Sequence, residues 1–351
     1  MSMSSKEGPD SPAFAFRAGR RRAVSLSPAA LVKTGHVAEG VSLPLVFEPA
    51  VEHLDAAAWA AKNRALVESE LLKHGALLFR NFDLDTEARF EAFARAVTPD
   101  LLDYRERSSP RTEVSQGIYT STDHPPDEAI RFHNEQSYTR RWPMKLWFYC
   151  AQPAAHLGGT PLADGRTVLR LIGPEIAERF RRKRVMYVRN YSEGLGLTWQ
   201  TAFQTESRAA VEDYCRRAGI KFEWRGVQQL RTRQVFDTVV AHPVTGDEVW
   251  FEHAAFFHVT SLQPAVRNSL LALFKEEDLP FNTYYGDGSP LEVSALAAIE
   301  SAYRQAATTF AWRRKDLLLI DNMLTSHARE PYTGPRKILV AMADLYGPPV
   351  G

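Results

Sequence analysis

Apolar residues along this chain recur in two rhythms, a helical one of three to four residues and an extended one of two, and the switches between them mark out the predicted elements. From Asp55 to Leu72 the residues Trp59, Leu66, Val67, Leu71 and Leu72 fall on one helical face, with Asp55 suited to cap the first turn and Gly75 to end the last. Ala76 to Phe82 reads as a buried strand, and Thr86 to Ala96 as a helix with Phe90, Phe93 and Ala94 inward. The polar stretch 103–129, with Pro110, Gly117, Pro125 and Pro126, predicts a loop leading into an extended segment that carries His133 and Glu135. Lys145 to Ala151 is an aromatic-rich strand, and Gly158-Gly159-Thr160-Pro161 a turn into another short one.

Residues 166–235 carry helical pattern over Thr167–Phe180 and Ser207–Ala218, interrupted by the loop-like Arg189-Asn190-Tyr191 to Trp199-Gln200, and predict a helical insert of the kind that covers a site. Strand pattern resumes at Phe236–Ala241 and Glu248–Glu252, helices follow at Pro264–Glu276 and Pro290–Ala306, and strands close the chain at Asp316–Ile320 and Lys337–Leu345. Without a repeat or βαβ alternation, this order predicts a mainly β protein with flanking helices. It would be one sandwich or jelly-roll domain over residues 41–351, with the helical insert at about 166–235. Before it, Met1 to about Gly40 is rich in Ser, Pro, Gly and Arg, includes the basic cluster Arg17 to Arg22, and is expected to be a mobile tail.

Composition narrows the class. The chain has 44% hydrophobic and 24% charged residues, ordinary for a globular protein, and 43 basic against 42 acidic side chains leave a net charge of +1. That balance gives nucleic acid no electrostatic footing. Two cysteines cannot build a disulfide framework, and Cys150, within an apolar run, reads as a buried reduced thiol. No apolar run is long enough for a membrane span and the N-terminus has no secretory apolar core, so the expected location is the cytoplasm.

The candidate chemistry starts at His133-Asn134-Glu135. In an extended segment i and i+2 project to one side, so an imidazole and a carboxylate there can grip one ion. The tripeptide is weak by itself, since roughly one His-x-Asp/Glu is expected by chance in a chain of this composition. A second example, His53-Leu54-Asp55, is accounted for by the helix cap. His327 follows the apolar run 317–320 and completes two imidazoles and one carboxylate, the facial set that leaves three positions open on Fe(II). Nine residues on, Arg336 opens the last strand, where a guanidinium turned inward calls for a carboxylate. The same ligands suit a zinc hydrolase, but the chain has no His-Glu-x-x-His helix and a hydrolase has no evident use for Arg336. A binding module that had lost its chemistry would not need all three ligands.

His133-Asn134-Glu135, Gly158-Gly159-Thr160-Pro161, Asp321-Asn322 and the run from His327 to Arg336 together resemble the taurine dioxygenase/clavaminate synthase-like superfamily of Fe(II)- and 2-oxoglutarate-dependent oxygenases. Arg189-Asn190-Tyr191, Gly196 to Gln200 and Val249-Trp250-Phe251 resemble its syringomycin-type aspartyl hydroxylase branch. The likeness spans roughly residues 70–346, and it implies a double-stranded β-helix core. It further implies iron on His133, Glu135 and His327, and the distal carboxylate of 2-oxoglutarate on Thr160 and Arg336. The implied reaction is O₂-dependent oxidation, by default hydroxylation, of a small substrate: an amino acid, free or tethered to a carrier protein. Asn134, Asn190 and Arg329 are the candidate substrate contacts. Glu135 stands where related halogenases lack the carboxylate, which argues for hydroxylation; desaturation and ring closure use the same ligands. Several members carry a second arginine four residues after the one matching Arg336, and here that position is Val340. Arg336 would then work alone or share the task with Arg329. Self-association is left open.

Overall fold

The computed structural model describes residues 31–103, 113–115, 117–121, 124–226 and 228–347. The Arg17–Arg22 cluster lies outside them.

Two sheets set the architecture, a jelly roll with helices against its outer face. The major sheet has eight strands, in the order Val32–His36, Leu45–Pro49, Ala76–Phe79, Leu317–Asp321, Trp142–Gln152, Lys337–Tyr346, Ile118–Thr120 and Glu113–Ser115. Its central strands are apolar at nearly every position because both faces are covered. In Leu317–Asp321 the side chains of Leu317 and Leu319 enter one core, while Leu318 and Ile320 enter another. The same alternation sends Trp147 and Tyr149 outward and Leu146, Phe148 and Cys150 inward. Outside, Trp59, Val67, Leu71, Phe90 and Phe93 from the helices Ala56–Lys62, Arg64–His74 and Glu87–Val97 close the first core. Inside, Leu162 of the minor sheet closes the second. The minor sheet runs Ala307–Thr308, Leu162–Asp164, Thr325–Arg329 and Ile130–His133. Cys150 and Cys215 are both buried, and no helix among the described residues is long and apolar enough to cross a membrane.

The structure differs from the pattern reading in four places. The single helix expected over 55–72 is two, because Asn63 turns its side chain back onto the Trp59 carbonyl at 2.8 Å and ends the first. Within the expected tail, Val32–His36 pairs with Leu45–Pro49 as the edge of the major sheet. Within the expected loop 103–129, Glu113–Ser115 and Ile118–Thr120 extend the opposite edge. The insert is not only helical: Val185–Tyr191, Lys221–Arg225 and Gln229–Phe236 form a third sheet with Phe281–Tyr285. Short strands with charged outward positions, such as Arg233 and Glu223, carry little apolar rhythm and were hidden for that reason.

Candidate metal centre

His133 and His327 are directly opposed residues of two antiparallel strands, the last position of Ile130–His133 and the middle of Thr325–Arg329, and their rings lie 4.3 Å apart between centroids. Glu135 completes the group, and one ligand atom from each of the three lies within 4.8 Å of the others. The chain is not extended as far as Glu135: the strand stops at His133 and the carboxylate comes from the turn that follows, where Gln136 adopts φ 56°. The i, i+2 argument thus reached a pair that the fold does bring together, through a geometry that holds for one of the two.

What holds that turn is Asn322. Its Oδ1 accepts from the Glu135 N–H at 2.8 Å, and its Nδ2 donates to the carbonyls of Glu135 and Pro143 at 2.9 Å each. Beside it, Asp321 Oδ1 accepts from the N–H groups of Met323 and Leu324 at 2.9 Å and its Oδ2 meets His242 at 3.1 Å. Those bonds turn the chain from the major sheet into the strand carrying His327. One buried Asp-Asn pair therefore fixes both the histidine strand and the carboxylate turn, a role the residue pattern did not reveal because the partners lie 187 positions away.

The donor set fits a divalent metal. His133 Nδ1 lies 2.9 Å from the Arg131 carbonyl, which can only accept, so Nδ1 carries the hydrogen and leaves the Nε2 lone pair for an ion. Two imidazoles and one carboxylate, with no thiolate, match Fe(II) with open positions.

A cavity of about 730 Å³ opens from the three ligands. On its sheet side stand Thr160 and Arg336. Thr160, 3% exposed, accepts from Trp312 Nε1 at 3.0 Å. Arg336 donates through Nε to the Gly158 carbonyl at 3.1 Å, over a turn where φ of +74° at Gly158 and tight contacts at Gly159 leave no room for a Cβ. Burial, then the neighbouring Arg329, push the Arg336 guanidinium down to about 10, and the other titratable groups near it are the Tyr332 phenol and the Cys150 thiol rather than any carboxylate among the described residues. A half-buried cation without an anion, with its fork left over and a threonine nearby, is the setting a dicarboxylic acid completes. Val340 lines the same wall, so the second cation some relatives place there is replaced by an apolar surface.

The candidate substrate contacts are corrected. Asn134 is fully buried and its amide is consumed inside the protein: Nδ2 donates to the Asn322 carbonyl at 2.7 Å, and Oδ1 accepts from Ser326 at 3.0 Å and the Glu252 N–H at 3.3 Å. Asn190 donates to the carbonyls of Glu277 and Leu279 at 2.9 and 2.7 Å and accepts from Arg231 at 2.6 Å, holding the insert sheet outside the cavity lining. Arg329 lines the cavity, but its terminal nitrogens are on the carbonyls of His124, Pro125 and Glu128, so it fastens the segment 124–128 rather than offering a free fork. The residues that do face the cavity opposite Arg336 come from the helix Ala254–Phe257 and its ends: His253, Phe256, Phe257 and His258. Sequence reasoning passed over them, since a cluster of Phe and His reads as core.

The family model "Taurine catabolism dioxygenase TauD, TfdA family" matches residues 42–342. The dapdiamide synthesis protein DdaC of Enterobacter agglomerans is 38% identical over 278 residues, 79% of this chain and 84% of that protein. A clavaminate synthase-like protein of Arabidopsis thaliana is 28% identical over 295 residues, 79% of this chain and 83% of that one. Among solved structures, the PvcB protein from Pseudomonas aeruginosa is similar with a TM-score of 0.54 at 15% identity, covering 91% of this chain and 92% of the other. A PvcB structure described as an Fe, alpha-ketoglutarate dependent oxygenase from an isonitrile synthetic pathway gives 0.52. At that identity the structural likeness speaks for the fold alone.

Proposed function

The chain belongs to the TauD/TfdA family and is a 2-oxoglutarate-dependent dioxygenase with Fe(II) as its metal, and from that premise we propose what its own residues do. His133, Glu135 and His327 hold the iron, and Thr160 with Arg336 hold the distal carboxylate of 2-oxoglutarate. The substrate is an amino acid or a molecule derived from one, free or on a carrier protein, and the reaction is hydroxylation of an unactivated C–H bond in specialised metabolism. The observation that carries this reading is the convergence of three ligands, distant in sequence, on one cavity that is also lined by a guanidinium with no carboxylate partner among the described residues. The similarity to DdaC, named for dapdiamide synthesis, supports the amino-acid and specialised-metabolism part.

When bound, the metal and cosubstrate supply the oxidative decarboxylation to succinate and CO₂ that drives C–H oxidation. The protein supplies placement and exclusion of water. The Asn322 bonds hold the Glu135 turn before metal arrives, so little ordering is left for binding. Arg336 orients a dicarboxylate with its keto end toward the ligands. Phe148, Phe256 and Phe257 keep the space between them apolar. Retention of Glu135 favours hydroxylation over halogen transfer, because the carboxylate occupies the position a halide would need.

The test is 2-oxoglutarate consumption with added Fe(II), comparing wild type with Glu135→Ala and screening amino acids with and without a carrier protein. Succinate release that depends on Glu135 and rises with one substrate is expected. Equal release from both proteins would sink the assignment.

A further inference from the structure

Two imidazoles in the cavity wall belong to neither the ligand set nor the 2-oxoglutarate side, and the backbone fixes them in opposite senses. His253 and His258 flank the one-turn helix Ala254–Phe257, are 3% and 7% exposed, and both line the cavity. His253 Nδ1 lies 3.3 Å from the Asn134 carbonyl. A carbonyl has only lone pairs to offer, so Nδ1 carries the hydrogen and Nε2 is left as an acceptor. His258 is the reverse. Its Nδ1 accepts the Thr260 backbone N–H at 3.2 Å, capping the short 3₁₀ turn Val259–Ser261. A nitrogen that accepts there cannot hold a proton, so this ring is neutral with its hydrogen on Nε2, a donor. Neither Nε2 has a hydrogen-bond partner among the described residues, and neither is sealed from solvent as the orphaned buried atoms are. Both therefore open onto the cavity.

The segment that carries them is anchored. The Glu252 carboxylate accepts from the Ala255 N–H at 2.9 Å and from the Tyr303 hydroxyl at 3.0 Å. Thr283 donates to the Ala254 carbonyl at 3.0 Å, and Asn282 accepts from the Val259 N–H at 3.1 Å. The His253 ring lies 4.9 Å from the His133 ring between centroids, so its open nitrogen belongs to the metal end of the cavity.

We propose that His253 and His258 read the substrate as an acceptor and donor pair: His253 Nε2 takes an N–H beside the metal corner, and His258 Nε2–H gives a hydrogen bond to a carbonyl oxygen of the same molecule. The chemical class that matches is an uncharged amide, with N–H and C=O on one edge. A free carboxylate against His258 would be desolvated among Phe256, Phe257 and Phe281 with no spare cation, since Arg329 is spent on carbonyls, Arg131 pairs with Glu300 at 3.3 Å and Arg336 faces the cosubstrate side. This rests on the oxygenase reading for which molecule enters the cavity, but not for the state of the two rings.

The test uses metal-free, full-length protein labelled with ¹⁵N-histidine. Long-range ¹H–¹⁵N correlation at neutral pH, assigned with His253→Gln and His258→Gln, should find the hydrogen on Nδ1 of His253 and on Nε2 of His258. N-acetyl-L-alaninamide should then shift both Nε2 resonances, and L-alanine should not. Because glutamine can place an oxygen or an amide hydrogen near the Nε2 position, each Gln variant should bind the amide within about threefold of wild type, whereas His253→Phe or His258→Phe should weaken it about fivefold to tenfold. The opposite tautomer at either ring overturns the proposal, as does a response to alanine equal to that for the amide, or no response to the amide. Because no iron or 2-oxoglutarate is present, such a failure leaves the oxygenase reading standing, and loss of Glu135-dependent succinate release would leave the ring states as measured.

Discussion

One wall of the cavity is sheet and the other is a short helix with its flanking turns. The sheet wall carries the proposed ligand and cosubstrate positions: His327 sits in register opposite His133, Phe148, Ile338 and Val340 rise from paired central strands, and Arg336 immediately precedes the last strand. The helical wall, Ala254–Phe257 with the helix Pro264–Leu273 beyond it, carries aromatic and imidazole groups, and Pro264–Leu273 buries none of its residues. A strand held on both sides cannot shift one residue without reversing every side chain, whereas a one-turn helix can change sequence and keep its place. The division teaches where constancy and variation belong: the reaction on the rigid element, the choice of substrate on the replaceable one.

Four experiments would break or sharpen that division. His327→Ala removes a ligand from the sheet wall and should abolish Fe(II) retention in equilibrium dialysis, with 2-oxoglutarate consumption falling to the enzyme-free rate. Stoichiometric iron in that variant would contradict the wall's role. Asn322→Ala should act on both fold and metal, since three buried hydrogen bonds to main chain disappear. Unfolding free energy in urea should drop by about 3–5 kcal/mol, and Fe(II) affinity by roughly tenfold to a hundredfold.

Arg336→Gln should separate the two properties. Loss of a charge-assisted pair should cost about 2–5 kcal/mol of 2-oxoglutarate binding, measured anaerobically, or roughly 30-fold and more. The metal-free fold should keep or gain stability, because a half-buried guanidinium without an anion is removed. The sign of the pH dependence follows. With the folded value lowered to about 10 from the ordinary arginine range, the unfolded chain alone holds the proton between the two. This group therefore makes stability rise with pH across that window in wild type, and the rise should be smaller in Arg336→Gln. A melting temperature well below wild type at neutral pH would show the arginine to be a structural element instead. The smallest effect belongs to the far end of the helical wall. Leu273 is 77% exposed, and Leu273→Asp should change stability by no more than about 0.5 kcal/mol in the same urea titration.

The sequence determined a good deal of this protein alone. The unbroken apolar runs at 317–320 and 146–151 specified strands buried on both faces, Asp55 and Gly75 marked helix ends where they occur, and His133, Glu135 and His327 could be singled out as a candidate ligand set before any distance was known. Only the tertiary structure decided which polar residues were already spent. Asn134, Asn190 and Arg329 looked available because a sequence shows donors and acceptors but not their partners, and those partners lie 188, 89 and 201 positions away at the Asn322, Leu279 and Glu128 carbonyls. His253 and His258 drew no attention for the complementary reason. Whether an imidazole nitrogen is satisfied or open depends on which carbonyl or N–H the fold brings to its other nitrogen, and no local pattern encodes that.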